Sequence, residues 1–253
     1  MRRYLLIMVS ILALLLAFGP AHAQLERVNF QVAGKSVTAL IALPGGPGPH
    51  IAVIYNHGGV VREKGYNKAR ALGYDAADYA QALADAGYIG LAPIREHLKS
   101  ANYRTAIIGG VETVKAAIGY LKSRPDVDKS RMGAIGFSEG GLVTLWAATR
   151  GADLSAVVLM SPATIRDAGD MNLREAVRRS MLAGLTMPVM LTVGSKDNKS
   201  IRKVTAKKLI PIMQKLEKNF TYKIDYPGDH KWFWKVRKSH FADVKKFLDE
   251  HLK

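Results

Sequence analysis

The chain has 253 residues, and its 37 lysines and arginines against 21 aspartates and glutamates give a formal net charge of +16. This length suits one large α/β domain and leaves little room for a second. The sequence contains no cysteine, which excludes disulfide bonds, a cysteine nucleophile and a lipid-modified cysteine anchor. The fold must therefore be held together by its core.

The first 23 residues have the pattern of a cleaved secretory signal peptide. The positive segment Met1-Arg2-Arg3 precedes an apolar stretch of 15 residues at 4–18, and Ala21-His22-Ala23 supplies the small residues of a cleavage site. A membrane anchor is the alternative, but the stretch falls short of the roughly 20 residues that span a bilayer. We expect cleavage after Ala23, a periplasmic or secreted location, and a mature domain at 24–253 with a charge of +14 once Arg2 and Arg3 are removed.

Hydrophobic patterns then predict the secondary structure in chain order. Two alternating segments, 27–33 and 36–43, flank Gly34-Lys35 and predict an antiparallel hairpin. Continuous apolar runs follow and alternate with helical patterns, which predicts a mostly parallel, doubly wound sheet of about eight strands without a large lid domain. The predicted later strands are 51–55, 88–92, 132–137, 156–160, 189–193 and 222–226, and the predicted helices are 75–86, 105–122, 139–149, 201–216 and 239–252.

Three connecting segments are expected to shape any pocket, namely the predicted loops at 60–74 and 94–104 and the segment 162–186. The last of these includes a predicted amphipathic helix at 173–185, and either a small flap over the site or an ordinary connecting helix fits its pattern. In the second loop, Arg95 is predicted either to recognise a substrate carboxylate or to form a surface ion pair.

Ser138 lies in the run Gly136-Phe137-Ser138-Glu139-Gly140-Gly141, between a predicted strand and a predicted helix. This is the G-x-S-x-G pattern of a nucleophile elbow, in which a strained turn aims the serine Oγ outward at the head of a helix. A side chain at 136 or 140 would clash across the turn, and Gly141 permits close approach of the helix to the strand. Ser138 is therefore the candidate nucleophile.

A serine nucleophile needs a base and a group that orients the base, and in a parallel sheet such groups lie at the carboxyl ends of strands. Asp197 follows the strand at 189–193, and His230 follows the strand at 222–226. The order Ser, Asp, His is that of the α/β-hydrolase arrangement. Asp225 is a rival for Asp197 but lies inside a predicted strand, and Asp229 is expected to cap a turn.

Backbone N–H groups must stabilise the negative charge that develops on the substrate oxygen. The Glu139 amide is one predicted donor, because it lies at a helix N-terminus whose dipole adds to the effect. The second donor is predicted in the loop 56–60, at the Gly59 amide with Val60 as the alternative.

The remaining histidines are expected in supporting positions. His57 is predicted to position the loop 56–60, and His97 is a candidate for the pocket lining. His240 and His251 fall on the predicted C-terminal helix and are expected at the surface. Since no pair of histidines has a metal-ligand spacing such as H-E-x-x-H, the sequence predicts neither a metal nor a cofactor.

Lysines concentrate after Ser195 on a helical pattern. They predict a solvated helix face, or a surface that associates weakly with an anionic membrane or polymer, because such charge raises local concentration and on-rate. Nucleic acid is not expected, since no recognition motif accompanies the charge. The lysines are Lys196, Lys199, Lys203, Lys207, Lys208, Lys215 and Lys218.

Four short motifs, around Ser138, in the loop 56–60, at Asp197 and at His230, together resemble the dienelactone hydrolase branch of the α/β-hydrolase superfamily, close to catalytic domains of the prolyl-oligopeptidase type. The resemblance implies the α/β-hydrolase fold, with Ser138 as nucleophile, His230 as general base and acid, and Asp197 as the orienting carboxylate. It further implies that the amides of Glu139 and Gly59 form the oxyanion hole. The motifs are G-F-S-E-G-G at 136–141, N-H-G-G at 56–59, G-S-K-D at 194–197 and G-D-H at 228–230, and the similarity extends over nearly all of 27–252.

Two features depart from that family pattern. Dienelactone hydrolases in the strict sense use a cysteine, and this chain has none. Three aromatic residues, Trp232, Phe233 and Trp234, follow the candidate base. They predict either an apolar or stacking wall of the pocket or burial against the terminal helix.

These observations predict a secreted or periplasmic serine hydrolase that cleaves a small-molecule carboxylic ester through an acyl-enzyme intermediate. A peptidase or amidase of the prolyl-oligopeptidase-like type is the alternative enzyme. An alternative of another class is a non-catalytic envelope or polyanion-binding protein on the same fold. The sequence leaves the substrate and the oligomeric state open.

Overall fold

A computed structural model describes residues 24–164 and 178–253 of the chain. The predicted signal peptide at 1–23 and residues 173–177 of the predicted helix at 173–185 lie outside the described residues, so these parts are not tested. Of the described remainder of that helix, only Arg179–Leu182 is helical, so the predicted helix ends earlier than expected. No helix in the two described ranges has both the length and the apolar character needed to cross a membrane.

Eight strands form a single twisted sheet in the order β1-β2-β4-β3-β5-β6-β7-β8. The first pairing is an antiparallel hairpin, β2 also runs antiparallel to β4, and all pairings from β4 through β8 are parallel. This confirms the predicted sheet, its approximate strand number and the N-terminal hairpin. The strands are β1 (Gln24–Val32), β2 (Lys35–Leu43), β3 (His50–Asn56), β4 (Ile89–Pro93), β5 (Val127–Phe137), β6 (Ala156–Met160), β7 (Val189–Gly194) and β8 (Phe220–Tyr226).

Helices cover both faces of the sheet because the central strands are apolar on both sides. One face packs against α4, α5 and α8, and the other packs against α3 and α9. The helices are α1 (Gly59–Lys64), α2 (Tyr66–Ala71), α3 (Ala76–Asp85), α4 (Tyr103–Ser123), α5 (Glu139–Thr149), α6 (Arg179–Leu182), α7 (Lys199–Val204), α8 (Ile210–Lys215) and α9 (Lys238–Leu252).

Two parts of the fold differ from the predicted elements. The predicted loop at 60–74 contains two short helices, α1 and α2, which are too brief to show a helical period. The predicted continuous helix at 201–216 is divided into α7, a π-helical turn at Thr205–Leu209, and α8. Pro211 lies in the first turn of α8, where its missing N–H prevents regular helical hydrogen bonding with the preceding turn.

Candidate active site

Ser138 occupies a sharp turn between β5 and α5, with φ 53° and ψ −117°. A non-glycine residue at positive φ is strained, and the surrounding backbone must hold it in place. The Ser138 N–H donates to the carbonyl oxygen of Met160 at 2.9 Å. A Cβ added at Gly136 would lie 2.3 Å from the Gly140 carbonyl oxygen, and one at Gly140 would lie 1.9 Å from the Asn56 carbonyl oxygen. Both glycines are therefore required by space, as predicted for an elbow.

The structure brings Ser138, His230 and Asp197 into one hydrogen-bonded chain. The Ser138 Oγ lies 2.9 Å from His230 Nε2, and His230 Nδ1 lies 2.9 Å from Asp197 Oδ1. Because the ionised carboxylate only accepts, Nδ1 carries the proton and Nε2 is free to accept from the serine hydroxyl. This is the geometry in which an imidazole can act as a general base toward a serine.

The Asp197 carboxylate is buried and accepts three hydrogen bonds. Besides His230, the Ser161 hydroxyl donates to its Oδ2 at 2.5 Å and the Asn198 N–H donates to its Oδ1 at 2.6 Å. Burial opposes ionisation, but the hydrogen bonds from His230 and Ser161 outweigh it and hold the pKa of Asp197 below its usual range. Ser161 was missed by the sequence analysis, although its place directly after β6, at the carboxyl end of a parallel strand, was a usable signal.

The aromatic residues after His230 serve both of the predicted purposes. His230 begins a short 3₁₀ turn at His230–Trp234, and the Asp229 carboxylate caps it by accepting from the Trp232 N–H, as predicted for that aspartate. Phe233 is fully buried, whereas Trp234 stacks on Tyr74 with ring centroids 5.4 Å apart and lines the cavity in front of Ser138.

The loop between β3 and α1 faces Ser138 and is fixed from behind. The Gly58 N–H donates to the Tyr74 hydroxyl at 2.8 Å, and that hydroxyl lies 2.8 Å from the Tyr55 hydroxyl. Gly59 and Val60, the predicted donor and its alternative, both line the cavity with Glu139. Gly59 and Val60 lie in the first turn of α1, and Glu139 is the first residue of α5. Backbone N–H groups in the first turn of a helix have no partner inside that helix.

His57 is buried in that same loop as a neutral imidazole. The Arg95 N–H donates to His57 Nε2 at 3.0 Å, so Nδ1 must carry the proton, and it donates to the Gly58 carbonyl oxygen at 2.9 Å. Burial, with a further contribution from the Arg95 charge, lowers the pKa of His57 well below its usual value. The His57 ring thus connects its own loop, through Gly58, with Arg95. The predicted positioning of the loop by His57 is compatible with these contacts.

Arg95 is neither at the surface nor directed at the cavity, so both interpretations of this residue from the sequence are wrong. Its side chain has no exposed surface, its Nη2 donates to the His57 carbonyl oxygen at 2.6 Å, and the same atom lies 3.5 Å from Glu139 Oε1. Arg62 completes the cluster with hydrogen bonds from Nε and Nη2 to the two Glu139 carboxylate oxygens at 2.9 and 2.8 Å. Only the Glu139 backbone had a predicted role, because the partners of its carboxylate are distant in the chain.

The cavity in front of Ser138 has a volume of about 250 Å³. Apolar and aromatic side chains form most of its wall, while the Glu63 carboxylate contributes a charge. Such a cavity suits a small ligand with an apolar portion. The wall residues are Val60, Tyr103, Phe137, Ala163, Ile201 and Trp234.

The sequence matches the model of the dienelactone hydrolase family over residues 37–247. The chain belongs to the dienelactone hydrolase family. Its sheet order and elbow are those of the α/β-hydrolase fold, so the predicted fold and branch are confirmed.

Solved structures similar to this dienelactone hydrolase family member include peptidases and single-domain hydrolases. Acylaminoacyl peptidase from Pyrococcus horikoshii aligns with a TM-score of 0.73 and 16% identity, covering 92% of this chain and 42% of the peptidase. Dienelactone hydrolase from Anabaena variabilis aligns with a TM-score of 0.65 and 19% identity, covering 92% of this chain and 100% of that enzyme. A dienelactone hydrolase-like promiscuous phosphotriesterase from metagenomic libraries aligns with a TM-score of 0.68 and 18% identity, covering 92% of this chain and 100% of that enzyme. No curated protein sequence matches this chain significantly.

His97 and His240 of this family member lie away from the reactive group. His97 does not line the cavity at Ser138 and instead borders a separate surface cavity beside Thr38 and Glu96. His240 is buried rather than exposed, so that prediction is wrong: α9 turns this residue toward the sheet, where Thr192 Oγ1 lies 3.2 Å from its Nε2. Within residues 24–164 and 178–253, no group of three histidine or acidic side chains is arranged to hold a metal ion.

Proposed function

We propose that this protein is an exported serine hydrolase that cleaves a carboxylic ester through an acyl-enzyme intermediate. The observation that carries the proposal is the chain from Ser138 Oγ through the His230 imidazole to the Asp197 carboxylate, with both distances at 2.9 Å. The strained serine at the head of α5, and the position of Gly59 and Glu139 in the cavity wall, support a site for acyl transfer.

In the first half of the proposed reaction, Ser138 Oγ attacks the ester carbonyl carbon and its proton moves to His230 Nε2. The Glu139 and Gly59 amides donate to the oxyanion of the tetrahedral intermediate. Collapse breaks the bond to the alcohol, which leaves with the proton from Nε2. The Asp197 carboxylate keeps the imidazole in the productive tautomer and stabilises the imidazolium that forms transiently.

In the second half, a water molecule attacks the acyl group on Ser138 and transfers a proton to His230 Nε2. The second tetrahedral intermediate then collapses, the carboxylic acid leaves and the proton returns to Ser138 Oγ. No further group is needed to balance these steps.

Peptidase or amidase activity is the second candidate, because the fold aligns with that of an acylaminoacyl peptidase. The chain spans 42% of that peptidase's length. We favour the ester because dienelactone hydrolase from Anabaena variabilis is matched over its whole length.

The test is covalent labelling with a fluorophosphonate probe, together with hydrolysis of short p-nitrophenyl esters and aminoacyl amides. We expect the wild type to be labelled and to hydrolyse the esters faster than the amides. Ser138→Ala should abolish labelling and lower kcat by about three orders of magnitude or more. Ser130→Ala is the control, because Ser130 is an exposed serine on a different part of β5.

Each other outcome points to a different alternative. Labelling that survives Ser138→Ala would show that the nucleophile is wrong, and preferential cleavage of amides would favour the peptidase. A folded wild type that is never labelled would favour the non-catalytic alternative. The export part of the proposal requires that protein recovered from the expressing cell begins at Gln24; a retained Met1 would contradict it.

A further inference from the structure

A buried cluster of three charged side chains lies directly behind the proposed oxyanion hole. Arg62 and Arg95 both contact the carboxylate of Glu139, and the exposed fractions of the three residues are only 4%, 0% and 3% in the order Arg62, Arg95, Glu139. Arg62 also pairs with the carboxylate of its neighbour Glu63 at 3.1 Å, so two carboxylates face the two guanidinium groups and the formal charges balance.

The cluster joins the two segments that supply the proposed oxyanion donors. Glu139 follows Ser138 directly and contributes one amide. Arg62 lies in the short helix α1, which begins at Gly59 and Val60. A Cβ on Gly59 would lie 2.9 Å from Glu139 Oε2. The Glu139 carboxylate is therefore packed against the backbone that carries the second donor.

Arg95 extends this connection to the rest of the loop. Its Nη2 donates to the His57 carbonyl oxygen and its backbone N–H donates to the His57 ring, so it holds the loop from both sides. The Nε and Nη1 groups of Arg95 are buried without a hydrogen-bond partner among the described residues. Burying an arginine with unused donors is costly, so its retention here points to a role for its contacts with the loop.

Holding the two proposed donor amides in place has a specific chemical consequence. The substrate carbonyl is neutral, whereas the tetrahedral intermediate carries a full negative charge on oxygen. Amides held in the right positions therefore stabilise the intermediate more than the bound ester, and such differential stabilisation raises kcat rather than lowering KM.

We propose that Arg62 and Arg95 are positioning residues of the oxyanion hole, which hold the segments that carry the Glu139 and Gly59 amides in a fixed arrangement. This inference rests on the proposed function, since it needs an oxyanion to form at Ser138. It adds two arginines and the Glu139 side chain to a site otherwise described by Ser138, His230, Asp197 and two amides.

The test compares ester hydrolysis by the wild type, Arg62→Met and Arg62→Lys. For Arg62→Met we expect kcat to fall about tenfold to hundredfold, less than the roughly 10²–10³ lost with a direct oxyanion donor. KM should stay within about twofold, because substrate binding is little affected. Arg62→Lys keeps the charge without the paired hydrogen bonds, so it should lie between the two.

A boronic acid that forms an anionic tetrahedral adduct with Ser138 provides a second measurement, its inhibition constant Ki. General loosening of the fold would not change Ki and kcat/KM by the same factor. The boronate Ki should rise in Arg62→Met by the same factor by which kcat/KM falls. The matched control is Arg124→Met. Arg124 pairs with both carboxylate oxygens of Asp126 at 2.9 and 2.6 Å, just before the amino end of β5, whereas Ser138 follows the carboxyl end of that strand. It should leave kcat, KM and Ki within about twofold of the wild type.

The inference is overturned if Arg62→Met folds and keeps the wild-type kcat, or if it raises KM while kcat and the boronate Ki stay unchanged. If Arg62→Met does not fold, Arg62→Lys and Arg95→Lys provide the same comparison of kcat with Ki. Failure of the proposed function is distinguishable, because the wild type itself would then show neither fluorophosphonate labelling nor turnover.

Discussion

The buried side chain of His240 shows how tertiary contacts alter a single residue. His240 packs edge-on against the rings of Tyr226, Trp232 and Phe233, with centroids 4.9, 6.0 and 5.0 Å away. Its other contact is Thr192 on β7, the strand that leads to Asp197. His240 therefore connects the segment that carries the candidate base with the strand that carries the orienting carboxylate.

Burial lowers the pKa of His240 to about 4, and this makes the stability of the fold dependent on pH. The unfolded chain takes up a proton near pH 6.5, whereas the folded protein does so only near pH 4, so protons favour unfolding between these values. We therefore expect the free energy of unfolding to decrease as the pH is lowered through this window. The contribution of His240 to this decrease is up to about 3 kcal/mol. The effect is complete below pH 4 and absent above about pH 7.

Urea unfolding of the wild type and His240→Gln at pH 7.5 and pH 5 measures this contribution. Glutamine is neutral at both values and can still pair with Thr192. The variant should lose less stability between the two pH values than the wild type loses, whatever its stability at pH 7.5. Equal losses in the two proteins would show that His240 does not titrate in this way.

At the scale of elements, the turn from β5 into α5 decides the position of Ser138. Gly136 and Gly140 provide the space, and Gly141 allows α5 to pack closely, since a Cβ there would lie 2.9 Å from the Cα of Pro162. The turn is thus specified by local sequence, but the atoms that exclude side chains come from β3, the loop after β6 and the first turn of α5.

Gly140→Ala tests whether this packing is as tight as it appears from the distances. The added methyl would collide with the Asn56 carbonyl oxygen at 1.9 Å, so the backbone must move, at an expected cost of about 1–3 kcal/mol. Labelling of Ser138 should be lost or strongly slowed. The measurements are the rate of fluorophosphonate labelling and the denaturation midpoint.

Gly119→Ala is the matched control, because Gly119 is exposed within α4, about one turn before its C-terminal end, and a Cβ there meets no atom within 4 Å. We expect it to raise stability by about 0.5–1 kcal/mol through helix propensity and to leave labelling unchanged. A Gly140→Ala protein that behaves like Gly119→Ala would contradict the account of the elbow.

The predicted elements show which local patterns are informative. The boundaries of α5 and β6 match the prediction, because an elbow and a short continuous apolar run give clear limits. The helices α1 and α2 were missed, since six residues carry too little periodicity. The π-helical turn at Thr205–Leu209 was also missed, although Pro211 marks the place where a regular helix cannot continue.

Charge is a property of the whole molecule, and the strongest concentration lies on α7, the π-helical turn and α8. No acidic residue occurs between Asp197 and Glu217, and Lys199, Arg202, Lys203, Lys207, Lys208 and Lys215 are exposed. Ile201 of the same segment lines the cavity at Ser138. We propose that this basic surface draws the protein to anionic membrane surfaces and so brings the cavity near them.

Binding to lipid vesicles measures this association. We expect binding to phosphatidylglycerol vesicles and none to phosphatidylcholine vesicles, with a loss between low and about 0.3 M salt because surface charges are then screened. Lys203→Gln, Lys207→Gln and Lys208→Gln together should weaken binding by about a hundredfold, at roughly 1 kcal/mol for each lysine. The same change at the scattered, exposed lysines Lys35, Lys99 and Lys129 removes equal charge and should have a smaller effect. Binding that ignores salt, or two triple variants that bind equally, would contradict the proposal.

By itself, the sequence determined the sheet, the helices longer than ten residues and the chain order of Ser138, Asp197 and His230, because periodicity, glycine spacing and strand ends are local. Only the tertiary structure decided that Ser161 supports Asp197, that Arg95 is buried against His57 and Glu139, and that His240 faces inward. These contacts join residues that are 36, 38, 44 and 48 positions apart in the chain, for the pairs Ser161–Asp197, His57–Arg95, Arg95–Glu139 and Thr192–His240. The burial of a polar side chain depends on such distant partners, and no local pattern encodes it.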